Sequence, residues 1–406
     1  MALFVQKYGG SSVADAAKIS NVARRIIKTK EAGNQVVVVV SAMGDTTDDL
    51  IKLAYQVNKQ PDQRELDVLL STGEVVASTL LAMALHSLGQ QAISLSGAQA
   101  GIKTDAAHSS ARITDIDPKR IVKELDKGNI VIVAGFQGIT EDSDVTTLGR
   151  GGSDTTAVAL AAALKAERCE RYTDVDGIYT TDPRLLPEAR KLRDISYDEM
   201  LEMVTYGFKA IQPRAAELAE LYSVPLLVAS SFNENPGTLI HKEVSMEIRN
   251  KVRGIAHDLD VATITVVGVP DHPGIAAGIF MPLAKAGISI DTIVQNASVK
   301  NITDLTFTVA QSQLKAAMAV VEPIAKSIGA KQCIGDPKWG KVSIIGTGMQ
   351  NAPGYAARMF DTLSKAHINI QLITTSEIRI TCIIEESKVK DAVQALHRAF
   401  ELEKED

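Results

Sequence analysis

The sequence contains few of the residues that disulfide frameworks, zinc sites and base-stacking surfaces require. Of its 406 residues only three are cysteines, Cys169, Cys333 and Cys382, and no two of them have the Cys-x-x-Cys spacing. An odd, scattered set of thiols fits a reducing compartment and argues against a structural zinc site. One tryptophan and an aromatic content of 4% also leave little on which nucleic-acid bases could stack.

The sequence also lacks an excess of basic charge and any long apolar run. Its formal net charge is −6, whereas nucleic-acid-binding proteins carry a basic surface, so we expect no nucleic-acid partner. The aliphatic run at residues 36–40 has the length of a strand and is far shorter than the roughly 20 residues of a bilayer-spanning helix. A strand is predicted within three residues of Met1, which leaves no room for a signal peptide. We therefore expect a cytoplasmic protein with no membrane partner.

Short aliphatic runs alternate with helical patterns over the first part of the chain. This order is typical of a mainly parallel sheet that is covered by helices on both faces. Ligands of such sheets bind at the carboxyl ends of the strands, so the loops after residues 5, 40 and 136 should share one rim. The predicted strands are residues 3–6, 36–41, 92–96, 130–136, 170–173 and 226–229, and the predicted helices are residues 14–29, 65–88, 117–125, 155–164 and 215–221.

Two glycine-rich segments stand at this predicted rim, KYGGSS at residues 7–12 and GRGGSDTT at residues 149–156. Each lies just ahead of a predicted helix. Glycines let backbone N–H groups approach an anion closely, and a helix N-terminus adds a favourable dipole. One segment carries a lysine and the other an arginine and an aspartate. Together with the loop at residues 41–47, they predict a phosphate-transfer site.

An internal repeat occupies the last part of the chain. The segment DHPGIAA at residues 271–277 is echoed by NAPGYAA at 351–357, and LAKAGISI at 283–290 by LSKAHINI at 363–370, both with an offset of 80 residues. Each copy reads as strand, Pro-Gly turn, helix, strand, strand, helix and strand, which is a βαββαβ unit. Two such units are expected to pair, either as a dimerisation platform alone or with a ligand pocket at their seam. The repeated Pro-Gly turn favours the pocket.

The motifs together resemble those of the aspartate kinases, in which an amino-acid-kinase domain is followed by two ACT regulatory modules. The similarity includes KYGGSS, SAM at residues 41–43, STGE at 71–74, GFQG at 135–138, GRGGSDTT, YTDVDGIYTTDPR at 172–184, GVPD at 268–271 and SEI at 376–378. Ser11 stands where threonine is common, and Gln212 where many members carry histidine. The second departure excludes a role for an imidazole at that position.

The resemblance implies a three-layer kinase domain with a mainly parallel sheet at residues 1–240, a linker at 241–260, and ferredoxin-like ACT modules at 261–336 and 337–406. It implies ATP-dependent phosphorylation of L-aspartate to 4-phospho-L-aspartate, the first step of lysine, threonine and methionine biosynthesis. Lysine, threonine or both would inhibit at the ACT modules. The family also suggests an oligomer formed through these modules. A short regulatory polypeptide that starts at Met246 is a further expectation.

Phosphorylating a carboxylate requires no strong base, because the acceptor is already an anion at neutral pH. The difficulty is to bring two anions together, which lysines and glycine loops can do. We therefore expect Mg²⁺ to arrive with ATP and see no dedicated metal cage. The residues expected to act in catalysis are Lys7, Asp154 and Lys209. Those expected to bind aspartate are Ser41, Thr47, Glu74, Arg150, Gly151, Gly152 and Ser153. Those expected to bind ATP are Lys7, Tyr8, Gly9, Gly10, Thr173, Asp174, Tyr179, Arg184 and Lys209.

Some of these assignments have a structural alternative. Glu74 is expected to bind the substrate ammonium group or else to be solvent-exposed, and Asp154 to orient the cations, to cap a helix, or both. Lys209 is equally compatible with a solvated side chain. The family resemblance implies that effectors bind where the ACT modules pair, with these candidate contacts: Asp271, Ser289, Asp291, Gln295, Tyr355, Ala356, Asn369, Ile370 and Ser376.

Two other functions are compatible with parts of the sequence. The same fold could phosphorylate glutamate, acetylglutamate, carbamate or a nucleoside monophosphate, although the ACT pair and the GRGGSD string speak against these acceptors. The chain could also be an amino-acid sensor without catalytic activity. The set of Lys7, Glu74, Arg150 and Asp154 disfavours that interpretation.

Overall fold

The computed structural model describes residues 1–208, 211–242, 252–298, 301–347, 349 and 353–404. These residues form two compact units. The first unit contains the described residues of 1–178, 191–204 and 211–242, and the second contains those of 179–190, 205–208 and 252–404.

The first unit is built on an eight-stranded sheet and a smaller four-stranded sheet. Its strands are β1 (Leu3–Tyr8), β2 (Gln35–Val40), β3 (Ala92–Leu95), β4 (Ile102–Thr104), β5 (Ile113–Ile116), β6 (Ile130–Ala134), β7 (Gln137–Ile139), β8 (Val145–Thr147), β9 (Arg168–Thr173), β10 (Asp194–Ser196), β11 (Leu226–Ser230) and β12 (Thr238–His241). Its helices are α1 (Ala16–Glu31), α2 (Thr46–Val57), α3 (Gln63–Ser87), α4 (Lys119–Asp126), α5 (Gly152–Ala163), α6 (Tyr197–Thr205) and α7 (Pro213–Leu221).

The large sheet has the order β10-β12-β11-β9-β1-β2-β6-β3, and all its neighbouring strands are parallel except β11 and β12. Side chains alternate between its two faces. Val36, Val38 and Val40 of β2 pack into the core with α1 and α3. On the opposite face α5 contacts β1, β2 and β9. Because both faces are covered, β2 can be an unbroken run of valines. The smaller sheet has the order β5-β4-β7-β8.

The second unit contains one six-stranded sheet with the order β14-β15-β13-β16-β18-β17. Its elements are β13 (Gly254–Pro270), α8 (Ile275–Lys285), β14 (Ile293–Gln295), β15 (Ile302–Val309), α9 (Leu314–Ser327), β16 (Gln332–Ile345), α10 (Tyr355–Lys365), β17 (Leu372–Thr375), β18 (Arg379–Glu385) and α11 (Val389–Ala399). Two separate hydrophobic cores lie in this unit, one around α8 and α9 and the other around α10 and α11. These cores correspond to the two copies of the sequence repeat.

The repeated Pro-Gly turns begin the first helix of each copy. Gly274 and Gly354 occupy the N-cap positions of α8 and α10 with φ of 95° and 105°. Only glycine adopts this backbone conformation without steric cost, which explains why the repeat keeps a glycine there.

The long strands β13 and β16 are shared by the two copies. Residues 261–267 of β13 pair with residues 332–339 of β16 in the first copy, whereas residues 254–258 pair with 341–345 in the second. The sequence pattern predicts a final strand after α11, but the residues described there, up to 404, form turns. The N-terminal part of β13 takes that place in the sheet. This part also falls within the range that we assigned to a linker.

The α/β fold class, with a mainly parallel sheet followed by two repeated α/β copies that share one sheet, is confirmed. Among the described helices, α3 is long and apolar enough to cross a membrane, judged by length and composition alone. Half of its most apolar stretch is buried inside the unit, as in the core helix of a soluble protein.

Candidate active site

Two cations and one carboxylate meet at the first turn of α5. Lys7 on β1 and Arg171 on β9 are register partners on neighbouring parallel strands. The Lys7 ammonium lies 2.6 Å from Oδ1 of Asp154, and Nε of Arg171 donates a hydrogen bond of 3.0 Å to Oδ2 of Asp154. The side chains of Lys7 and Asp154 are only 8% and 5% exposed. The cluster therefore places a net positive charge in a buried position beside a helix N-terminus, where anions bind favourably.

The electrostatic environment keeps Asp154 ionised. Burial by itself would raise the pKa of Asp154, but the charges of Arg171 and Lys7 outweigh burial and lower this pKa to about 2. Burial lowers the pKa of Lys7, Asp154 opposes that change, and Arg171 lowers the pKa further. Asp154 is not the N-cap of α5, since Gly151 holds that position. Its carboxylate instead orients the two cations.

The loops after β1 and β2 pack closely against each other at this rim. The amide of Gly44 donates to the carbonyl of Gly10 at 3.1 Å, and a Cβ atom at Gly10 would lie 2.7 Å from the carbonyl oxygen of Ala42. Gly151 has φ of 75°, and a Cβ atom there would lie 1.9 Å from Cγ of Gln212. The three predicted loops thus lie in one unit, and the first two are in direct contact at Gly10, where a Cβ atom would have no room.

Glu74 is buried on α3 with one carboxylate oxygen unpaired. Its Oε1 accepts a hydrogen bond from the amide of Ala42 at 3.1 Å, while its Oε2 is buried and has no partner among the described residues. Burial raises the pKa of Glu74 to about 7, although the amide of Ala42 and the charge of Lys7 both act to lower it. The alternative of a solvent-exposed Glu74 is therefore wrong, because the side chain is buried near Lys7.

The remaining residues expected to bind aspartate differ in exposure. Gly152 and Ser153 are buried in the first turn of α5, and Ser41 and Thr47 are half-buried. Arg150 is exposed, and its guanidinium has no ion-pair partner in the described part of the chain. It stands immediately before the N-cap of α5.

The residues expected to bind ATP at the ends of β1 and β9 differ in which of their groups can reach a ligand. The Tyr8 ring lies in the core and stacks on Tyr172 with 5.0 Å between ring centroids, so only its backbone can reach a ligand. The amide of Gly9 donates to the carbonyl of Tyr172 at 3.2 Å, and donation to a phosphate would have to replace that bond. Thr173 ends β9, and its hydroxyl donates to Oδ1 of Asp174 at 2.9 Å.

Three further residues expected to bind ATP are not part of this described cluster. Tyr179 and Arg184 belong to the second unit, where Nη2 of Arg184 lies 2.7 Å from Oδ2 of Asp182. Lys209 falls outside the described residues.

The residues expected to contact effectors all lie in the second unit. Asp271 is in the turn before α8, Ser289 and Asp291 lie on the segment that leads into β14, and Gln295 is the last residue of β14. The Asp291 carboxylate forms an ion pair with Lys341.

The matching candidates of the second copy lie around α10 and β17. Tyr355 and Ala356 begin α10, and Ser376 follows β17. Asn369 and Ile370 line an open surface depression of about 480 Å³ together with residues of α10.

Comparison with known proteins identifies both parts of the chain. The amino acid kinase family model matches residues 2–230, and the ACT domain model matches residues 264–323 and 342–400. An aspartate kinase of Stutzerimonas stutzeri is 52% identical over 405 residues, which cover 99% of this chain and 98% of that protein. An aspartokinase of Mycolicibacterium smegmatis is 52% identical over 408 residues, covering 99% and 97%. The chain belongs to the aspartate kinase family.

Solved structures of the family have the same architecture. An aspartate kinase from Synechocystis is 44% identical with a TM-score of 0.56, and the match covers 98% of this chain and 70% of that one. E. coli aspartokinase III, in complex with aspartate and ADP, is 24% identical with a TM-score of 0.80 and covers 98% and 99%. The resemblance inferred from the motifs is thus confirmed, and so is membership of a family of kinases.

Two residues of this family member were missed by the sequence analysis. Arg171 lies in a predicted strand outside the motifs, and its place beside Lys7 follows from the pairing of β9 with β1, which no local pattern encodes. The other is Asp67, which is fully buried seven residues before Glu74 on the same face of α3. Its carboxylate accepts hydrogen bonds from the amides of Ser109 and Thr147 at 2.9 and 3.0 Å. Asp67 therefore ties β8, which leads into the loop at 149–152, to α3.

In the described part of the chain, no three His, Cys, Asp or Glu side chains come together in a way that could hold a metal ion.

Proposed function

We propose that the chain transfers the terminal phosphoryl group of ATP to the side-chain carboxylate of L-aspartate, giving 4-phospho-L-aspartate and ADP. The observation that carries the proposal is the buried Lys7–Asp154–Arg171 cluster at the N-terminus of α5, in the same unit as the unpaired Oε2 of Glu74. The first feature suits a phosphate and the second an ammonium group. The names of relatives that are 52% identical over nearly the whole chain support aspartate as the acceptor.

The reaction needs no general base. An oxygen of the aspartate side chain attacks the terminal phosphorus, and the bond from phosphorus to the bridging oxygen of ADP breaks, so that ADP leaves with the electron pair. No proton moves, because the acceptor is ionised at neutral pH. This chemistry suits a site with an ionised Asp154 that holds a cation. The principal task of the protein is to neutralise charge and to orient the two reactants.

Each candidate residue then has a defined role. Lys7 stabilises negative charge on the transferred phosphoryl group, and Asp154 holds Lys7 in place. Glu74 binds the substrate ammonium group, while the planar fork of Arg150 binds a substrate carboxylate. Ser41, Thr47 and the first turn of α5, with Gly151, Gly152 and Ser153, complete the aspartate site.

Thr173 and Asp174 bind the nucleotide from the end of β9, with the backbone of residues 8–10, and Tyr179, Arg184 and Lys209 are further candidates. Mg²⁺ bound to phosphate oxygens and water would neutralise phosphate charge, as it does for ATP in general.

A panel of acceptors tests this function. The purified protein, ATP and Mg²⁺ are incubated separately with aspartate, glutamate, acetylglutamate, carbamate and a nucleoside monophosphate. ADP release is measured, and hydroxylamine is used to trap an acyl phosphate. With aspartate we expect ADP to be released and hydroxylamine to trap an acyl phosphate. Turnover with another acceptor instead of aspartate would refute the proposed substrate. Nucleotide binding without turnover of any acceptor would indicate that the chain is an amino-acid sensor without catalytic activity.

We further propose feedback inhibition by lysine, threonine or both at the ACT modules, as in a biosynthetic pathway that leads to these amino acids. The open depression lined by Asn369 and Ile370 is the place in the second module where we propose that a small molecule binds. Titration of the full chain with each amino acid, alone and combined, tests the proposal, with Asn369→Ala and Asp271→Ala as variants. Inhibition that is unchanged in both variants would place the effector elsewhere.

The domain limits, the oligomer and the location stay proposals as well. We propose a kinase domain at 1–240 and ACT modules at 261–336 and 337–406, joined by 241–260, in a cytoplasmic oligomer formed through the ACT modules. Light scattering of the full chain tests the oligomer. N-terminal sequencing of any shorter polypeptide that copurifies tests a start at Met246.

A further inference from the structure

Arg171 is an unusual residue for the middle of a parallel sheet. Its side chain is only 15% exposed, and β9 pairs on one side with β1 and on the other with β11. Its Nε is used for Asp154, but its Nη1 is buried without a partner among the described residues. A buried guanidinium with an unused donor is costly for stability alone. Such an unpaired group calls for an explanation, and ligand binding provides one.

The charge balance of the cluster depends on this arginine. Lys7 and Asp154 alone would form a neutral ion pair at 2.6 Å, and the carboxylate would compensate the ammonium. Arg171 binds the other oxygen of the same carboxylate. One negative charge is then shared by two positive charges, and the buried cluster has a net charge of about +1 by this count. An incoming phosphoryl group meets an uncompensated positive charge.

We propose that Arg171 is a positioning residue of the phosphate-transfer site: it shares the Asp154 carboxylate with Lys7 and so leaves the Lys7 ammonium available to the terminal phosphate of ATP. This inference rests on the proposed function for the identity of the ligand. It assigns Arg171 to the part of the site that recognises the end of the phosphate chain. The adenosine and the first phosphate lie outside its influence.

Two substitutions separate the charge of Arg171 from its hydrogen bond. Arg171→Gln keeps an N–H donor but removes the charge, and Arg171→Lys keeps the charge but removes the fork. The affinities of a non-hydrolysable ATP analogue and of AMP are measured by calorimetry. The kcat value and the KM values for ATP and for aspartate are measured by steady-state kinetics. We expect Arg171→Gln to weaken the ATP analogue and to lower kcat, each by about tenfold, because a buried cationic contribution is lost. AMP affinity and the aspartate KM should stay unchanged, and Arg171→Lys should recover most of the loss.

Arg168→Gln is the matched control. Arg168 lies on the same strand, but its guanidinium pairs with Glu170 at 2.6 Å and is 41% exposed. The Arg168→Gln variant should have the same affinities for the ATP analogue and for AMP, and the same kcat, as the wild type. Thermal unfolding of every variant shows whether the fold is retained.

Three results would overturn the inference. One is wild-type behaviour of Arg171→Gln, and another is an equal loss of AMP and ATP-analogue affinity, which would indicate a purely structural role. The third is a failure of Arg171→Lys to recover activity while its fold is intact. If the wild type does not phosphorylate aspartate at all, the proposed function fails. The comparison of AMP with the ATP analogue then still tests the role of Arg171.

Discussion

Two buried polar clusters lie on opposite faces of the same two strands, β1 and β9. On the face of α1, Gln6 donates to Glu170 at 2.9 Å and accepts from the Tyr8 hydroxyl at 3.2 Å. Glu170 also accepts from the Tyr172 hydroxyl at 3.0 Å and from Arg168 at 2.7 Å. Each of these polar groups has a protein partner. Such a satisfied network holds the strands together.

The cluster on the face of α5 is incomplete. Lys7 and Arg171 share Asp154, Nη1 of Arg171 has no partner among the described residues, and the same is true of Oε2 of Glu74. Residues that are adjacent in sequence, such as 6 and 7, therefore belong to different clusters, one with all its polar groups paired and one with unpaired groups. The comparison teaches that burial of polar groups alone does not indicate a functional site. In the first unit, by contrast, the buried side-chain atoms without a hydrogen-bond partner among the described residues all belong to the candidate site.

The largest effect is expected from Lys7→Ala, which removes the buried cation that lies 2.6 Å from Asp154 in the first turn of α5. We expect kcat to fall by about 10³-fold, because a preorganised charge at the transition state is lost. The aspartate KM should change little, since Glu74 and Arg150 bind that substrate in our proposal. Steady-state kinetics measure both values. A kcat near that of the wild type would remove Lys7 from the mechanism.

Glu74→Gln should have the next largest effect, on aspartate binding. Losing a buried carboxylate that faces an ammonium group should raise the aspartate KM by about 30-fold. In the wild type the pKa of Glu74 is raised to about 7, chiefly by burial, and the ammonium group binds the ionised form. The wild-type KM should therefore fall as pH rises through neutrality, and the variant should lose this dependence. Glu65→Gln, an exposed position on the same helix, is the control.

The raised pKa of Glu74 also makes the stability of the fold depend on pH. The folded protein binds the Glu74 proton up to about pH 7, whereas the unfolded chain releases it near pH 4.5. Between these values the folded state holds more protons, so this group makes the free energy of unfolding fall as pH rises. Denaturant titrations of wild type and Glu74→Gln across the window measure the difference. An equal slope in both proteins would contradict the assigned protonation.

Arg150→Lys should raise the aspartate KM by about tenfold, because a point charge cannot replace a bidentate fork. The effect is smaller than that of Glu74→Gln since Arg150 is exposed and its charge is retained. Initial rates at varied aspartate measure it. An unchanged KM would show that the arginine does not bind this substrate.

The smallest kinetic effect is expected in the satisfied cluster. Glu170→Gln weakens hydrogen bonds from Tyr172, Arg168 and Gln6 and should lower the free energy of unfolding by about 1–3 kcal/mol. Both kcat and KM should stay close to the wild-type values, because this cluster lies on the face of α1 and not at the candidate site. Denaturant unfolding and kinetics of one preparation test both statements. A tenfold loss of kcat at full stability would contradict the division into two clusters.

The parts of the fold that the sequence predicts are those with strong periodicity. The aliphatic run of β2, the helical patterns of α1 and α3, and the repeat offset of 80 residues all lead to elements that the structure contains. By contrast, α2 and the small sheet of β4, β5, β7 and β8 were not predicted. None of the residues of α2 is buried, and each of those strands has only three or four residues. Their pairing depends on distant parts of the chain.

The candidate site shows the same limit. Lys7 and Asp154 can be found from glycine-rich motifs, because the motif dictates where the backbone turns. The contact of Arg171 with Asp154 depends on the register of β9 against β1, which no local pattern encodes. The core position of the Tyr8 ring likewise follows from the alternation of faces along β1 and not from its place in the motif.

The division of β13 between the two ACT copies restricts how the regulatory half can be separated from the rest. A polypeptide that began at residue 261 would keep the whole first copy but would leave residues 341–345 of β16 as an open edge. Exposed edges of this kind invite pairing with other chains. A polypeptide that began at Met246 would include residues 254–258, which pair with residues 341–345 and cover that edge. A cut or an internal start therefore keeps this strand with the ACT copies only if it lies upstream of Gly254.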